Sequence, residues 1–156
     1  MIVGDGSLRE RLIRMACELG IAGKTRFVGY ASPEEALTYY AIADLFVLPS
    51  VTTPHGKETW GLVVNEAMNQ GVPVVATDAV GAAAGGLVQS GLNGFVVPER
   101  DSSALAEAIR RILNDNALRV EMSRNARRIV ADWNNERMVQ GFERAIEYAI
   151  DHSRFR

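Results

Sequence analysis

The stretch Lys57-Glu58-Thr59-Trp60-Gly61-Leu62-Val63-Val64-Asn65-Glu66-Ala67-Met68-Asn69-Gln70-Gly71, KETWGLVVNEAMNQG, lies between two short apolar runs, residues 45–48 and 72–76. Within it Val63, Val64, Ala67 and Met68 recur at helical spacing, and Gly71 is a stop, so a helix is expected from about 61 to 69. The flanking runs are short and apolar on both faces, as parallel strands buried between helices are. Strand, loop, helix, strand is thus the local order.

Working outward, the same alternation repeats. Residues 1–3, 25–28 and 94–97 read as further strands. Two S-x-x-E patterns, Ser7 to Glu10 and Ser32 to Glu35, read as capping boxes, the second with Pro33 at the first helical position. Leu8, Leu12, Met15 and Leu19 follow the first at helical spacing. Asp101 opens a helix carrying Leu105, Ile109 and Ile112 on one face. The remaining chain reads as helical throughout. Two stripes, Leu118, Met122, Ile129 and Trp133, then Met138, Phe142, Ile146 and Ala149, are expected to face the core. The fold class is therefore α/β, a three-layer sandwich on a mostly parallel sheet, over one domain, 1–150, with 151–156 a loose tail.

The 156 residues are 47% hydrophobic and 23% charged with a net charge of −2, which marks a globular chain without the basic footprint of a nucleic-acid binder. No apolar run reaches membrane-spanning length, and the start of the chain does not read as a signal peptide. A cytoplasmic location is expected. The lone Cys17 excludes an intrachain disulfide and is expected to be a buried packing residue.

In a parallel α/β sheet, ligands bind beyond the carboxyl ends of the strands. The longest loop there is the one of about 12 residues that leads into Gly61. Glutamates eight apart also occur at Glu10/Glu18 and Glu99/Glu107, and about one such pair is expected by chance. Those two pairs read as solvated helix faces. Glu58 differs in standing in the loop after a buried strand, and Glu66 in standing on the helix that follows. That helix start offers unpaired N–H groups to an anion such as a diphosphate, and Gly61 permits close approach. Glu66 could accept from a ribose diol and Glu58 from sugar hydroxyls. The residues alone leave equal room for a capped helix with Glu58 as its dipole partner.

Gly4-Asp5-Gly6 is a glycine turn whose dinucleotide fingerprint is broken by Arg9. Gly81-Ala82-Ala83-Ala84-Gly85-Gly86 is either a second ligand-facing helix start or tight packing. His55 reads as an exposed loop residue. The sequence has no Asp-x-Asp, no His-x-x-x-His and no cysteine pair, so no metal site and no resident cofactor are expected.

LFVLPS, ETWGLVVNEAMNQGVPVVATD and GLNGFVVPERD, in this order, resemble the C-terminal domain of the group 1 (GT4-type) glycosyltransferases, which have the two-domain GT-B fold. The resemblance runs from Met1 to the region of Trp133. It implies a Rossmann-like domain that binds a nucleotide-diphosphate sugar, the donor, for transfer with retained configuration to an acceptor glycan or lipid-linked sugar. It implies a catalytic, sugar-facing role for Glu58 and a ribose role for Glu66. Gly61, Leu62 and Val63 would meet the sugar and diphosphate, flanked by Thr59 and Trp60. Gly4 and Gly6 would line the cleft, and Phe27, Val28 and Gly29 would lie beside the base.

The family's domain normally begins with an earlier strand and helix and a loop bearing an Arg and a Lys, and an acceptor domain precedes it; neither has a counterpart in these 156 residues. Gly85-Gly86 stand where many members carry an acidic residue. The isolated chain is therefore expected to be inactive, with residues 1–3 pairing directly with 45–48, or a partner chain or homodimer supplying the strand, or a longer polypeptide containing it. Through a complete enzyme, a peripheral position at the inner membrane face would follow. The alternatives are a non-catalytic or split-transferase module acting only with a partner chain, and a nicotinamide- or flavin-binding domain.

Overall fold

A computed structural model of the chain describes residues 1–152. The order is β1 (Ile2–Val3), α1 (Arg9–Glu18), β2 (Phe27–Gly29), α2 (Pro33–Ala41), β3 (Phe46–Leu48), α3 (Leu62–Asn69), β4 (Val74–Thr77), α4 (Gly81–Ala84), β5 (Gly94–Val97), α5 (Ser102–Asn114), α6 (Asn116–Ala131) and α7 (Asn135–His152). Every ladder between these strands is parallel. The chain forms two compact units, one of residues Met1–Tyr39 and one from Tyr40 onward.

In the first unit β1 pairs with β2, Ile2 opposite Phe27 and Val3 opposite Gly29. The expected direct pairing of residues 1–3 with 45–48 is not made among the described residues. Alternate residues of a parallel strand direct their N–H groups to the same side. The N–H groups of Ile2 and Gly4 both go to the β2 side, to Arg26 O at 2.8 Å and Gly29 O at 2.7 Å. Only Val3 is left to serve another edge, too little for a ladder, and Ile2 and Val3 stay 40% and 42% exposed.

The two S-x-x-E patterns behave differently. At Ser32 the box closes: Glu35 N–H donates to Ser32 Oγ at 3.2 Å and Ser32 N–H to Glu35 Oε2 at 2.8 Å. At Ser7 it does not. Helix α1 starts at Arg9 without a side-chain cap, because Asp5 Oδ1 takes the Gly6 N–H and Gly6 O takes the Arg9 N–H in a preceding turn. Helix α1 buries Ala16 alone. Cys17, about 100° further round the helix, is exposed rather than buried as expected.

In the second unit the sheet order is β3-β4-β5. All four residues of β4 are buried. Val75 faces a core built with Val97, Ala108, Ile112 and Met122, from β5, α5 and α6. Val74 and Ala76 point to the opposite face by alternation and are equally inaccessible. Helix α3 packs against β3 and β4 and buries Val64, Ala67 and Met68 completely. Between α4 and β5, Asn93 is fully buried. Its Nδ2 donates to Leu87 O at 2.8 Å and its Oδ1 accepts from Gln89 N–H at 2.7 Å, which closes the turn into β5.

The C-terminal stretch is not helical throughout. Asp115 interrupts it and caps α6 through the Leu118 N–H, and 132–134 separate α6 from α7. Met122 is buried as expected, but Met138, Phe142 and Ile146 are 55%, 64% and 58% exposed, and α7 buries no residue. Periodicity identifies an apolar helix face without saying what lies over it. Asp151 and His152 complete α7 rather than starting a tail; the rest of the expected tail, 153–156, lies outside the described residues.

Candidate functional site

Loop 49–61 leaves β3 and delivers the chain to α3. Two side chains hold its first half. Glu99 accepts the Thr52 N–H, and the Arg100 guanidinium donates to Thr52 O. Glu99 thus precedes α5 instead of standing on a helix face as expected. The Thr52 N–H, before the neighbouring charges of Arg100 and Lys57, holds its carboxyl below the usual range. Arg100 adopts φ 64°, a left-handed conformation that few non-glycine residues take. Asp78 Oδ1 accepts the Glu99 N–H at 2.8 Å and Thr77 Oγ1 donates to Ser50 O at 2.6 Å, which ties the ends of β4 and β5 to the same loop.

The second half is held by backbone. Glu58 O accepts from Gly81 N–H at 3.0 Å and Trp60 O from Ala82 N–H at 2.8 Å. The first donors of α4 are therefore consumed by the loop, and the glycine-rich 81–86 stretch serves tight packing. A Cβ on Gly81 would lie 1.8 Å from Thr59 O, and one on Gly85 would lie 2.9 Å from the Trp60 ring. The Trp60 indole donates to Asn65 Oδ1 at 2.8 Å, and its ring centroid is 5.1 Å from that of Trp133. A cavity of about 650 Å³ opens beside the two rings, lined also by Leu62, Asn65, Asn134 and Met138 among others but by neither Glu58 nor Glu66.

Gly61 caps α3 at φ 85°. A side chain there would meet Leu48 Cδ2 at 3.0 Å and Val80 Cγ1 at 3.2 Å, so both conformation and space require glycine. The Glu58 side chain reaches back to this point, its Cγ 3.5 Å from the same Cβ position. From Gly61 the helix turns its buried face inward and leaves Leu62 and Glu66, four residues apart on one side, exposed. Thr59 and Glu58 are exposed as well, and Val63 is half-buried.

Glu66 has a partner that its own sequence neighbourhood does not supply. Tyr40, the first residue of the second unit, donates its hydroxyl to Glu66 Oε2 at 3.1 Å. Tyr40 is only 9% exposed, and its ring meets Phe46 of β3 edge-on, with centroids 5.5 Å apart. Burial first, then the hydrogen bond to Glu66 and its charge, push the Tyr40 hydroxyl up to about 12. It therefore remains a protonated donor throughout the neutral range.

The expected site residues fall into two sets. Glu58, Thr59, Trp60, Gly61, Leu62, Val63 and Glu66 lie together around the start of α3 in the second unit. Gly4, Gly6, Val28 and Gly29 belong to the first unit, where Gly4 bonds Gly29 at the end of the β1–β2 ladder and Val28 is half-buried in β2. His55 is exposed in the loop, its N–H donating to Thr53 Oγ1. Tyr40, Glu99 and Arg100 escape a sequence reading, since each acts on a residue 26 or more positions away. The described residues contain no cluster of three or more His, Cys, Asp or Glu side chains able to hold a metal, and no helix long and apolar enough to cross a membrane.

This parallel α/β architecture has known counterparts. Residues 1–129 match the family described as glycosyl transferases group 1. The chain is 31% identical over 142 residues to a lipopolysaccharide core biosynthesis glycosyltransferase, LpsE, of Rhizobium meliloti, spanning 90% of this chain and 39% of that protein. It is 36% identical to a D-inositol 3-phosphate glycosyltransferase of Corynebacterium urealyticum over 85% of this chain and 30% of that one. Among solved structures, a sucrose-phosphate synthase from Thermosynechococcus elongatus aligns at 32% identity with a TM-score of 0.74, covering 95% of this chain and 36% of that one. Anabaena HepE, solved in complex with UDP, aligns at 28% identity and 0.76, over 94% and 40%. The chain belongs to the group 1 glycosyltransferases and has the Rossmann-like α/β fold of their GT-B enzymes. It spans well under half the length of these relatives.

Proposed function

We propose that this chain forms the donor-binding part of a retaining glycosyltransferase that uses a nucleotide-diphosphate sugar. The observation that carries the reading is the start of α3. Gly61 caps the helix there in a left-handed conformation that favours glycine, and the first N–H groups of a helix have no intrahelical partner. The positive end of the helix favours a diphosphate. Glu66 stands on the exposed side one turn further on, about 6 Å along the axis, where its carboxylate would accept from the ribose diol. Glu58, lying against Gly61, would meet hydroxyls of the sugar. Charge fixed at the helix start would stabilise the leaving diphosphate as the glycosidic bond to it breaks. The acceptor, a glycan or a lipid-linked sugar, would be bound by an acceptor domain, and the chain alone would transfer nothing. That Anabaena HepE was solved with UDP supports a nucleotide-sugar donor.

Calorimetric titration with UDP, GDP and ADP tests the reading. One of the three is expected to bind, and Glu66→Ala to weaken it roughly 10- to 100-fold, the loss of hydrogen bonds to a charged acceptor. Affinity unchanged in Glu66→Ala, or binding by none of the three, would contradict it.

A further inference from the structure

We propose that Tyr40 is a positioning residue that sets the Glu66 carboxylate for the ribose diol. This inference rests on the donor-binding reading above. Glu66 is exposed on α3, and an exposed glutamate with no partner samples many rotamers, which a bound ligand would have to freeze. Tyr40 removes that freedom. Its ring is buried and held edge-on by Phe46, so its hydroxyl is a fixed point. Through the 3.1 Å bond it engages Glu66 Oε2. The other oxygen, Oε1, has no hydrogen-bond partner among the described residues and is left to accept from a ligand. The carboxylate is thereby oriented through Oε2 by a hydroxyl that leaves Oε1 to the ligand.

The competing explanation is that a buried tyrosine merely needs an acceptor for its hydroxyl. The two differ in ligand dependence. If Tyr40 only stabilises the fold, losing its hydroxyl affects all ligands alike. If it positions Glu66, the loss falls only on ligands that carry the diol.

The test uses the full chain, with the tightest binder among UDP, GDP and ADP and the 2′,3′-dideoxy counterpart of that nucleotide. Tyr40→Phe keeps the ring and is expected to weaken the ribonucleotide about 5-fold and to leave the dideoxy form unchanged. In a Glu66→Ala background the same change is expected to add nothing, because its target is gone. Glu66→Asp, which keeps the charge but withdraws it by one methylene from Tyr40, provides a second variant that leaves the tyrosine in place. It too is expected to weaken the ribonucleotide selectively. Equal weakening of both ligands by Tyr40→Phe, or wild-type ribonucleotide affinity in Tyr40→Phe or Glu66→Asp, overturns the inference. A loss in Glu66→Ala without one in Tyr40→Phe removes the role of Tyr40 alone. No loss in Glu66→Ala, or a wild-type chain that binds none of the nucleotides, removes the donor reading and this inference with it.

Discussion

Gly81→Ala is expected to destabilise the second unit by about 3 kcal/mol or more and to weaken nucleotide binding with it. The reason is space rather than backbone conformation. The added Cβ would lie 1.8 Å from Thr59 O and 2.9 Å from Trp60 Cα, both backbone atoms that cannot rotate away. Relief requires α4 and loop 58–60 to part. That would break the Gly81 N–H to Glu58 O and Ala82 N–H to Trp60 O bonds and leave buried donors without acceptors. The same displacement moves Glu58 and Gly61, so the binding loss should exceed what partial unfolding explains. Thermal melting and nucleotide titration on one preparation check both parts; a variant with wild-type melting temperature and affinity would show that the junction is looser than this geometry requires.

Gly94→Ala is expected to cost about 4 kcal/mol or more. At the first residue of β5 a Cβ would lie 1.8 Å from Val74 O and 3.0 Å from Val74 N. Glycine in a strand often marks such a close backbone approach. Val74 is the residue paired with Gly94, so the clash sits at the start of the β4–β5 ladder. Pushing the strands apart there also disturbs Asn93, whose side chain closes the preceding turn. Because Val75 and Val97 share the core with α5, the damage should spread through the whole unit and lower the denaturant midpoint without a separate early transition. A midpoint unchanged from wild type would contradict this.

Much of the framework around residues 57–71 is legible in the sequence because strand, helix and stop signals agree there. Strand β5 falls on 94–97 as its apolar run indicates, and α3 starts one residue from where Gly61 places it. The features that shape the site are different in kind. Gly94 reads as a strand residue and Gly81 as a helix start or a point of tight packing, but neither reading names the carbonyl from another segment that constrains it. Tyr39 and Tyr40 are adjacent, and only the contact of the Tyr40 ring with Phe46 shows which one reaches Glu66. The same S-x-x-E pattern closes a box at Ser32 and fails at Ser7, where Asp5 competes for the turn. The apolar stripe of α7 is legible as a stripe, but its exposure is not, because a hydrophobic pattern is the same whether or not a partner covers it. Likewise β1 reads as an internal strand while its hydrogen bonds serve β2 alone.

The central claim, that the start of α3 receives the diphosphate of a nucleotide, is tested most directly by following backbone amide resonances of the chain during titration with UDP, GDP and ADP and with the 2′,3′-dideoxy counterpart of the tightest binder. The account predicts that the amides of Leu62 and Val63 shift first and furthest and that Glu66 shifts only with a ligand carrying the ribose diol. Saturable shifts confined to other segments, with Gly61, Leu62 and Val63 unmoved, would contradict it.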